Sequence, residues 1–192
     1  VEKQDKNGDG WISMEEFGAG EAWFKVQDID RNGRLDKADW DAIGGLMKRG
    51  ENVLLAVKPG GKGDITQTHV AWKYTRGLPY VPCPLHLGDR LYIIRDGGLM
   101  TCVNPATGQP HYAQELIGTT GSYYASPVGA EDRIYVASLD GKLTVVKAGG
   151  TKPEVLHTAD FGERIAATPA LVGKRLYLRT HTHLYAFQAP QP

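Results

Sequence analysis

The chain has 192 residues, 41% of them hydrophobic and 23% charged, and its formal net charge is zero. This charge balance argues against the basic surface that nucleic acids or anionic membranes require, and no apolar run is long enough to span a bilayer. Residues 1–50 carry 11 acidic and 8 basic side chains, whereas residues 51–192 carry 11 and 14, so the acidic excess lies at the start. The length suits one well-cored domain, or a small module beside a larger one.

Residues 5–16, DKNGDGWISMEE, place oxygen-bearing side chains at alternate positions around a glycine. A calcium loop of the EF-hand type needs hard oxygen ligands at such positions, with glycine at its sixth position and a bidentate carboxylate at its twelfth. Gly10 is at the sixth position and the apolar Ile12 at the eighth. The predicted ligands are the side chains of Asp5, Asn7, Asp9, Ser13 and Glu16 and the carbonyl of Trp11. This match predicts a calcium site, and the alternative is an acidic turn that binds no ion.

Residues 28–39, DIDRNGRLDKAD, repeat the same arrangement around Gly33. The predicted ligands are the side chains of Asp28, Asp30, Asn32, Asp36 and Asp39 and the carbonyl of Arg34. Asp39 is one methylene shorter than the glutamate that usually fills the twelfth position. The shorter reach is expected to weaken calcium binding or to favour magnesium. The sequence therefore predicts two divalent-cation sites, of which the second binds calcium less well.

The segment between the two loops, residues 17–27, is too short for two full helices and a linker. Either one continuous helix joins the loops, or Gly18 and Gly20 break it into two short helices. A further helix is predicted from about Lys37 to Met47, with one side formed by Trp40, Ile43 and Met47. Only residues 1–4 precede the first loop, so its entering helix is expected to be truncated and the chain to be a piece of a longer one.

Three stretches after residue 77 repeat one another, as residues 77–118, 119–162 and 163–192. The recurring positions are 43 and 42 residues apart, and they are Pro84, Pro127 and Pro169, and Tyr92, Tyr135 and Tyr177. A period near 40 with four short strands in each unit predicts blades of a β-propeller. The first strand is predicted around the Cys-Pro, Ser-Pro or Thr-Pro pair, and the second at RLYII, RIYVA or RLYLR. The third is predicted at LMTCV, LTVVK or LYAFQ, and the fourth at HYAQELI or EVLHTAD.

The last unit ends after its third strand, so its edge is expected to be closed by a strand from an N-terminal part that this chain lacks. Residues 51–76 correspond to the second half of a blade, because LLAVKPGG matches MTCVNPATG of the following unit. The predicted fold is therefore mainly β, a partial β-propeller of about three four-stranded antiparallel blades. The EF-hand pair of residues 1–50 is predicted to be a small helical insertion in a blade loop.

Together these residues resemble the pyrroloquinoline-quinone-like β-propeller repeat family, in particular large bacterial members with an EF-hand pair inserted in the propeller. The likeness is carried by YxxxPxxxGDRLYxxRDGGxxTCxxPxTG and YYASPVxAxDRIYVASxDGKLTVVKAG, and it covers nearly the whole chain. The family is grouped with the propeller lipoprotein of outer-membrane barrel assembly and with quinoprotein dehydrogenases. The resemblance implies a periplasmic or secreted location, a protein partner and further N-terminal blades.

Quinoprotein dehydrogenases have a pair of adjacent cysteines, whereas Cys83 and Cys102 are separated here and are expected to be free, buried thiols. Asp96 and Asp140 lie in Asp-Gly turns, where a role in backbone turns is expected. Pyrroloquinoline quinone is therefore not expected to bind this chain. The sequence favours a calcium-binding interaction scaffold over an enzyme. The alternatives are a quinoprotein-like enzyme with its catalytic residues outside this chain, and a structural module that binds ions adventitiously.

Two further groups of side chains could belong to sites, and a structural role is predicted for each. His181 and His183 would share one face of a strand and could grip a metal ion, but they align with the turns of the earlier units. They are therefore expected to lie in a surface turn. Trp72 and Tyr74 alternate along a strand and are expected to pack between blades rather than to stack on a ligand.

Overall fold

The computed structural model describes residues 4–188, without the side chains of residues 46–49. The chain divides into two compact units, residues 1–52 and residues 53–192. The first unit is helical and the second consists of antiparallel β-sheets. The predicted mainly β class is confirmed. None of the helices in the described part of the chain is long and apolar enough to cross a membrane.

The helical unit contains three short helices, which are α1 (Met14–Phe17), α2 (Glu21–Gln27) and α3 (Lys37–Arg49). Helix α1 ends at Gly18, which has a φ of +67°, and α2 begins after Gly20, which has a φ of +93°. Glycine adopts these conformations without steric cost, so the two residues separate the helices. Of the two alternatives for this segment, the pair of short helices is confirmed. Helix α3 passes the predicted end at Met47, whose side chain lies outside the described residues.

The helical unit has a small apolar core between the two acidic loops. Ile12 and Leu35 are fully buried, and each donates its backbone N–H to the carbonyl of the other at 2.9 and 3.0 Å. The rings of Phe17 and Phe24 meet edge to face, with their centroids 5.8 Å apart, and Trp40 packs against the same cluster. This two-residue β-bridge links the loops directly.

The second unit contains four antiparallel sheets in the described residues. Sheet 1 consists of β1 (Leu54–Val57) and β2 (Val70–Tyr74). Sheet 2 consists of β3 (Leu85–Leu87), β4 (Arg90–Arg95), β5 (Leu99–Val103) and β6 (Pro110–Leu116). Sheet 3 consists of β7 (Val128–Ala130), β8 (Arg133–Ala137), β9 (Lys142–Lys147) and β10 (Glu154–Asp160). Sheet 4 consists of β11 (Ala170–Val172), β12 (Arg175–Arg179) and β13 (Leu184–Gln188).

Each sheet is a meander in which consecutive strands pair with one another. Strand β7 lies against both β3 and β11, so the first strands of sheets 2, 3 and 4 are neighbours. A side chain at Gly129 in β7 would come within 2.8 Å of Leu87 in β3, which shows how close the first strands of sheets 2 and 3 approach. Sheets 2, 3 and 4 are therefore arranged side by side with their first strands together.

The first strand of each repeat begins one residue after the proline rather than around the Xaa-Pro pair. The residue before the proline uses its backbone N–H to reach the next repeat. Cys83 donates to Oγ of Ser126 at 2.9 Å, and Ser126 donates to Oγ1 of Thr168 at 3.0 Å. Proline itself has no N–H to give to a sheet. The predicted start of these strands is corrected accordingly.

The core of the second unit lies between neighbouring sheets. Tyr123 and Ile165, in the segments that lead into sheets 3 and 4, are buried against the sheet that precedes each of them. Trp72 and Tyr74 of β2 pack against sheet 2, with Nε1 of Trp72 donating to the carbonyl of Pro105 at 2.9 Å. The predicted packing role of these two aromatic residues is confirmed.

Both cysteines are free thiols, as predicted, but only Cys102 is buried. Cys83 is exposed, because the segment before β3 meets the next repeat through its backbone and not through the sulfur. The expectation that both thiols are buried is wrong for Cys83.

Candidate metal centre

The first loop is closed by the carboxylate of Asp5. Its Oδ1 accepts hydrogen bonds from the backbone N–H groups of Gly8 and Asp9 at 2.7 and 3.2 Å, and its Oδ2 accepts one from Gly10 at 2.9 Å. Gly10 has a φ of +90°, a conformation that strongly favours glycine at this point of the loop. The carboxylate at the first position thus folds the backbone around itself.

Asn7 and Asp9 lie next to each other in this loop. Nδ2 of Asn7 donates to Oδ2 of Asp9 at 2.9 Å, and the Asp9 backbone N–H donates to Oδ1 of Asn7 at 3.0 Å. Oδ1 of Asp9 accepts from the backbone N–H of Trp11 at 3.1 Å. The side chains at the third and fifth positions are therefore hydrogen-bonded to each other. The fifth-position carboxylate also accepts a backbone N–H of the turn that follows.

Glu16 reaches back over the first loop. Its Oε1 accepts from the backbone N–H groups of Lys6 and Asn7, and its Oε2 accepts from the backbone N–H and the hydroxyl of Ser13, both at 2.9 Å. Ser13 in turn caps α1, because its Oγ accepts from the Glu16 backbone N–H. The hydrogen bonds from Ser13, followed by those from Lys6 and Asn7, lower the pKa of Glu16. Glu16 is thus stabilised as an anion.

In the second loop, Asp28 has the same role as Asp5. Its Oδ1 accepts from the Asn32 backbone N–H at 3.0 Å, and its Oδ2 accepts from Gly33 at 2.9 Å. Asp30 accepts from the backbone N–H and from Nδ2 of Asn32 at 3.1 and 2.9 Å. Oδ1 of Asn32 accepts from the backbone N–H of Arg34 at 3.0 Å. The two loops therefore share one hydrogen-bonding plan, as their matched sequences predict.

Asp39 closes the second loop from its twelfth position and is only 1% exposed. Its Oδ1 accepts from the backbone N–H of Ile29 at 2.8 Å, and its Oδ2 accepts from Asp36 at 3.1 Å. The side chain of Asp36 points instead to the start of α3, where it accepts from the Ala38 backbone N–H at 2.7 Å. Asp36 therefore acts as a helix cap in this structure.

Three carboxylates converge in the second loop, because Asp28, Asp30 and Asp39 each place an oxygen within 4.8 Å of the others. Across residues 4–188, no other set of three or more His, Cys, Asp and Glu side chains comes this close. Asp28 and Asp39 are buried, so their charges are poorly screened by water. Like charges this close favour a cation between them. Three carboxylate oxygens suit a hard divalent cation such as calcium or magnesium.

The first loop is arranged less tightly than its sequence suggests. Its three acids, Asp5, Asp9 and Glu16, do not form a comparably close group, since Asn7 supplies an amide at the third position and Glu16 is held by Ser13 and Lys6. The sequence matches the calcium pattern better in the first loop, whereas the carboxylates converge more closely in the second. Ion binding at either loop stays a prediction.

Outside the helical unit, Asp96 lies in the predicted turn between β4 and β5, but its Oδ1 accepts from the backbone N–H of Tyr123 at 2.7 Å and so joins this turn to the segment before sheet 3. His181 and His183 are exposed and lie in the turn between β12 and β13, which confirms the predicted surface turn. Nδ1 of His183 lies 2.9 Å from Oε1 of Glu163, whereas His181 faces a separate pocket.

Glu163 is a residue that sequence analysis did not identify. Oε2 of Glu163 accepts from Oγ1 of Thr180 at 2.5 Å and from the Thr182 backbone N–H at 3.1 Å, and Oε1 accepts from Oγ1 of Thr182 at 2.7 Å. These hydrogen bonds, from Thr180 first and then Thr182, lower the pKa of Glu163 to about 2. Its partners are 17 to 20 residues away in the sequence, and no motif links them.

Comparison with known proteins gives matches among solved structures only. No protein-family model and no curated protein matches the chain. BamB from Moraxella catarrhalis aligns with a TM-score of 0.53 and 18% sequence identity, over 72% of this chain and 40% of BamB. The sheets of the second unit have the fold of a partial β-propeller, as predicted.

A computationally designed protein, Ika4, aligns with the same TM-score of 0.53 and 12% identity, over 73% of this chain and 88% of that protein. A europium-containing methanol dehydrogenase aligns with a TM-score of 0.40 and 13% identity, over 56% of this chain and 21% of that enzyme. The last likeness is too weak to bear on activity. At these sequence identities, the likeness to BamB and Ika4 establishes the architecture of the sheets alone. The chain spans less than half of the length of BamB.

Proposed function

We propose that this chain is part of a calcium-binding β-propeller scaffold that binds a protein partner, with the ion stiffening the helical unit. The observation that carries the calcium part is the convergence of Asp28, Asp30 and Asp39 within 4.8 Å. The scaffold part is supported by the sheets and by the likeness to BamB. A propeller presents many loops on a rigid frame, which suits recognition of another protein.

The residues that would hold the ion in the second loop are Asp28, Asp30, Asn32, Asp36 and Asp39 and the carbonyl of Arg34. In the first loop they are Asp5, Asn7, Asp9, Ser13 and Glu16 and the carbonyl of Trp11. A calcium ion bound in a loop would attract the carboxylates at its first and twelfth positions. It would thereby hold the two ends of that loop together. Each aspartate at a first position already shapes its loop by accepting backbone N–H groups, so the chain is partly arranged for the ion without it.

The two loops are expected to respond together. Ile12 and Leu35 occupy the eighth positions, are fully buried, and are joined by two backbone hydrogen bonds. When one loop becomes ordered, its residue of the Ile12–Leu35 bridge is fixed in place. The other loop can then pair with that residue more readily. A ligand that binds only the ordered form stabilises that form in proportion to its affinity and concentration. The role proposed for the ion is stability and orientation rather than chemistry.

The proposal includes the sequence-based expectation that the helical unit is inserted in a propeller blade. It also includes a location outside the cytoplasm, in the periplasm or secreted, which rests on the resemblance of the repeats. Calcium is plentiful outside cells, so even a weak site such as the second loop would be filled there.

Isothermal titration with calcium tests the metal part. The wild-type chain should release heat in a saturable manner, and the double variant Asp5→Ala plus Asp28→Ala should release none. The single variants assign the heat to each loop. Asp41→Ala is the control, because Asp41 is an exposed acid of α3 beyond both loops, and its partner Lys37 is not one of the predicted ligands. A wild-type chain without saturable heat, or a double variant that still binds, would contradict the proposal.

A further inference from the structure

Sheet 4 carries an open pocket of about 360 Å³ beside the turn between β12 and β13. Its lining comes from the segment before β11 and from the end of β12, and consists of Arg164, Ala166, Ala167, Arg179, Thr180 and His181. We call this the basic pocket. Two guanidinium groups and an imidazole line it, and none of the lining residues is acidic.

The guanidinium groups of Arg164 and Arg179 have no hydrogen-bonded or ion-paired partner within residues 4–188. The other arginines of the strands each have one, namely Arg90, Arg95, Arg133 and Arg175. Glu163 adjoins Arg164 in the sequence, but both of its oxygens accept hydrogen bonds from the β12–β13 turn. Its negative charge is thus engaged by the turn, and the guanidinium groups stay available for an outside anion.

The basic pocket departs from the pattern of the preceding repeat. Positions 42 residues earlier are all neutral, namely Ser122, Tyr124, Ala125, Ala137, Ser138 and Leu139. In sheet 3, Ile165 from the following segment packs against Ala125 and Ala137. In sheet 4 the counterpart of Ala137 is Arg179. The same position in the fold therefore suits an apolar partner in sheet 3 and a negatively charged partner in sheet 4.

We propose that the basic pocket binds a carboxylate of an acidic polypeptide segment. Arginine presents a planar fork of N–H donors that matches the two oxygens of a carboxylate. A polypeptide is favoured over a free anion because the equivalent positions of sheets 2 and 3 receive side chains of other segments, Tyr123 and Ile165. Thr180 donates its hydroxyl to Glu163 and so holds the turn that carries Arg179 and His181. The inference deepens the scaffold part of the proposed function and does not depend on calcium.

Titration with a capped acidic peptide, Ac-Gly-Glu-Asp-Glu-Gly-NH2, tests the inference, with Ac-Gly-Gln-Asn-Gln-Gly-NH2 and inorganic phosphate as comparison probes. The acidic peptide should bind in a saturable manner, more weakly as salt rises. Arg164→Gln and Arg179→Gln should each weaken binding about tenfold or more, since each removes a charged hydrogen-bond donor. Arg175→Gln is the control for the loss of one positive charge, because Arg175 is an exposed arginine of β12 that lies outside the pocket and donates to Gln188.

Thermal unfolding of Arg164→Gln and Arg179→Gln should match that of the wild type, because both side chains are exposed. Asp28→Ala should leave peptide binding unchanged, which separates this inference from the calcium proposal. Equal binding of both peptides, equal losses in Arg175→Gln, or no saturable binding of the acidic peptide would each overturn the inference. Binding of phosphate without binding of the acidic peptide would overturn the assignment to a polypeptide.

Discussion

Asp39 is the side chain on which the ion selectivity proposed for the second loop depends. It is buried, and both of its oxygens accept backbone N–H groups, from Ile29 and from Asp36. Its carboxylate is therefore held by the loop, and its reach toward an ion is one methylene shorter than that of a glutamate. Calcium takes more oxygen ligands at longer distances than magnesium does, so a shorter and more restrained ligand disfavours calcium.

Replacing Asp39 with glutamate should raise calcium affinity at the second loop by roughly tenfold, or about 1.4 kcal/mol. The longer side chain can offer both oxygens to calcium, whereas magnesium gains little from a bidentate ligand. Competition titrations of calcium against magnesium measure the change. Asp41→Glu is the control, since it lengthens an exposed acid of α3 outside the loop. Unchanged calcium binding in Asp39→Glu would show that position 39 does not contact the ion.

The stability of the second unit is expected to depend on pH through the carboxylate of Glu163. Its pKa is about 2 in the folded chain against an ordinary value of 4.5, because Thr180 and Thr182 donate hydrogen bonds to the ionised form. A lowered pKa means that the folded chain binds the proton less readily than the unfolded chain. The stabilisation from Glu163 is therefore complete above about pH 4.5 and is lost as the pH falls towards 2.

The variant Glu163→Gln should lower the thermal stability of the second unit at pH 7 and flatten its decline between pH 4.5 and pH 2. Melting curves followed by circular dichroism across this range measure both effects. Glu131→Gln serves as the control, since Glu131 is an exposed acid in the β7–β8 turn. A parallel decline in wild type and Glu163→Gln would mean that the carboxylate is not the titrating group.

Two turns of sheet 2 contain a glycine with a positive φ, and one of these turns lies in close contact with the segment that leads into sheet 3. Gly98, in the turn between β4 and β5, has a φ of +69°, and a Cβ there would lie 1.7 Å from the carbonyl oxygen of Thr119. Gly88, in the turn between β3 and β4, has a similar φ of +62° but no atom within 4 Å of a Cβ. The two glycines share one conformational requirement, and only Gly98 is also limited by space.

Gly98→Ala should destabilise the second unit by about 1–3 kcal/mol more than Gly88→Ala. Both substitutions carry the cost of a positive φ, roughly 1–2 kcal/mol, so the difference isolates the contact with Thr119. Urea denaturation of the two variants and the wild type gives the free energies of unfolding. Equal losses in both variants would indicate that the backbone of residue 119 moves aside at little cost.

For the whole molecule, the period of the repeats was sufficient to predict the β-sheets. Prolines and tyrosines recur with the spacing of the repeating unit, and the strands between Asp-Gly and similar turns fall where the patterns of apolar residues put them. Two details escaped prediction. The first strands begin after their prolines, and Cys83 is exposed, because in both cases a hydrogen bond to the next repeat determines the local structure.

The candidate site was predictable in its residues but not in its geometry. Position by position, the first loop matches the calcium pattern better, yet the closest carboxylates are those of Asp28, Asp30 and Asp39. Sequence spacing gives the order of the ligands along a loop, whereas hydrogen bonds such as those from Ser13 to Glu16 decide where each carboxylate points. The basic pocket could not be predicted either, because its two arginines are 15 residues apart and meet only through folding.

The hydrogen bonds donated by the residues before the prolines all point the same way along the series of sheets. Each one runs from a backbone N–H of the earlier repeat to a hydroxyl of the later one, first from Cys83 to Ser126 and then from Ser126 to Thr168. If sheet 4 detaches, the N–H of Ser126 loses its acceptor, whereas detachment of sheet 2 leaves only the Ser126 hydroxyl without its donor. A hydroxyl can rotate to another partner, but a backbone N–H cannot. Loss of the later repeat thus leaves a backbone donor that only water can satisfy, whereas loss of the earlier repeat leaves only a hydroxyl.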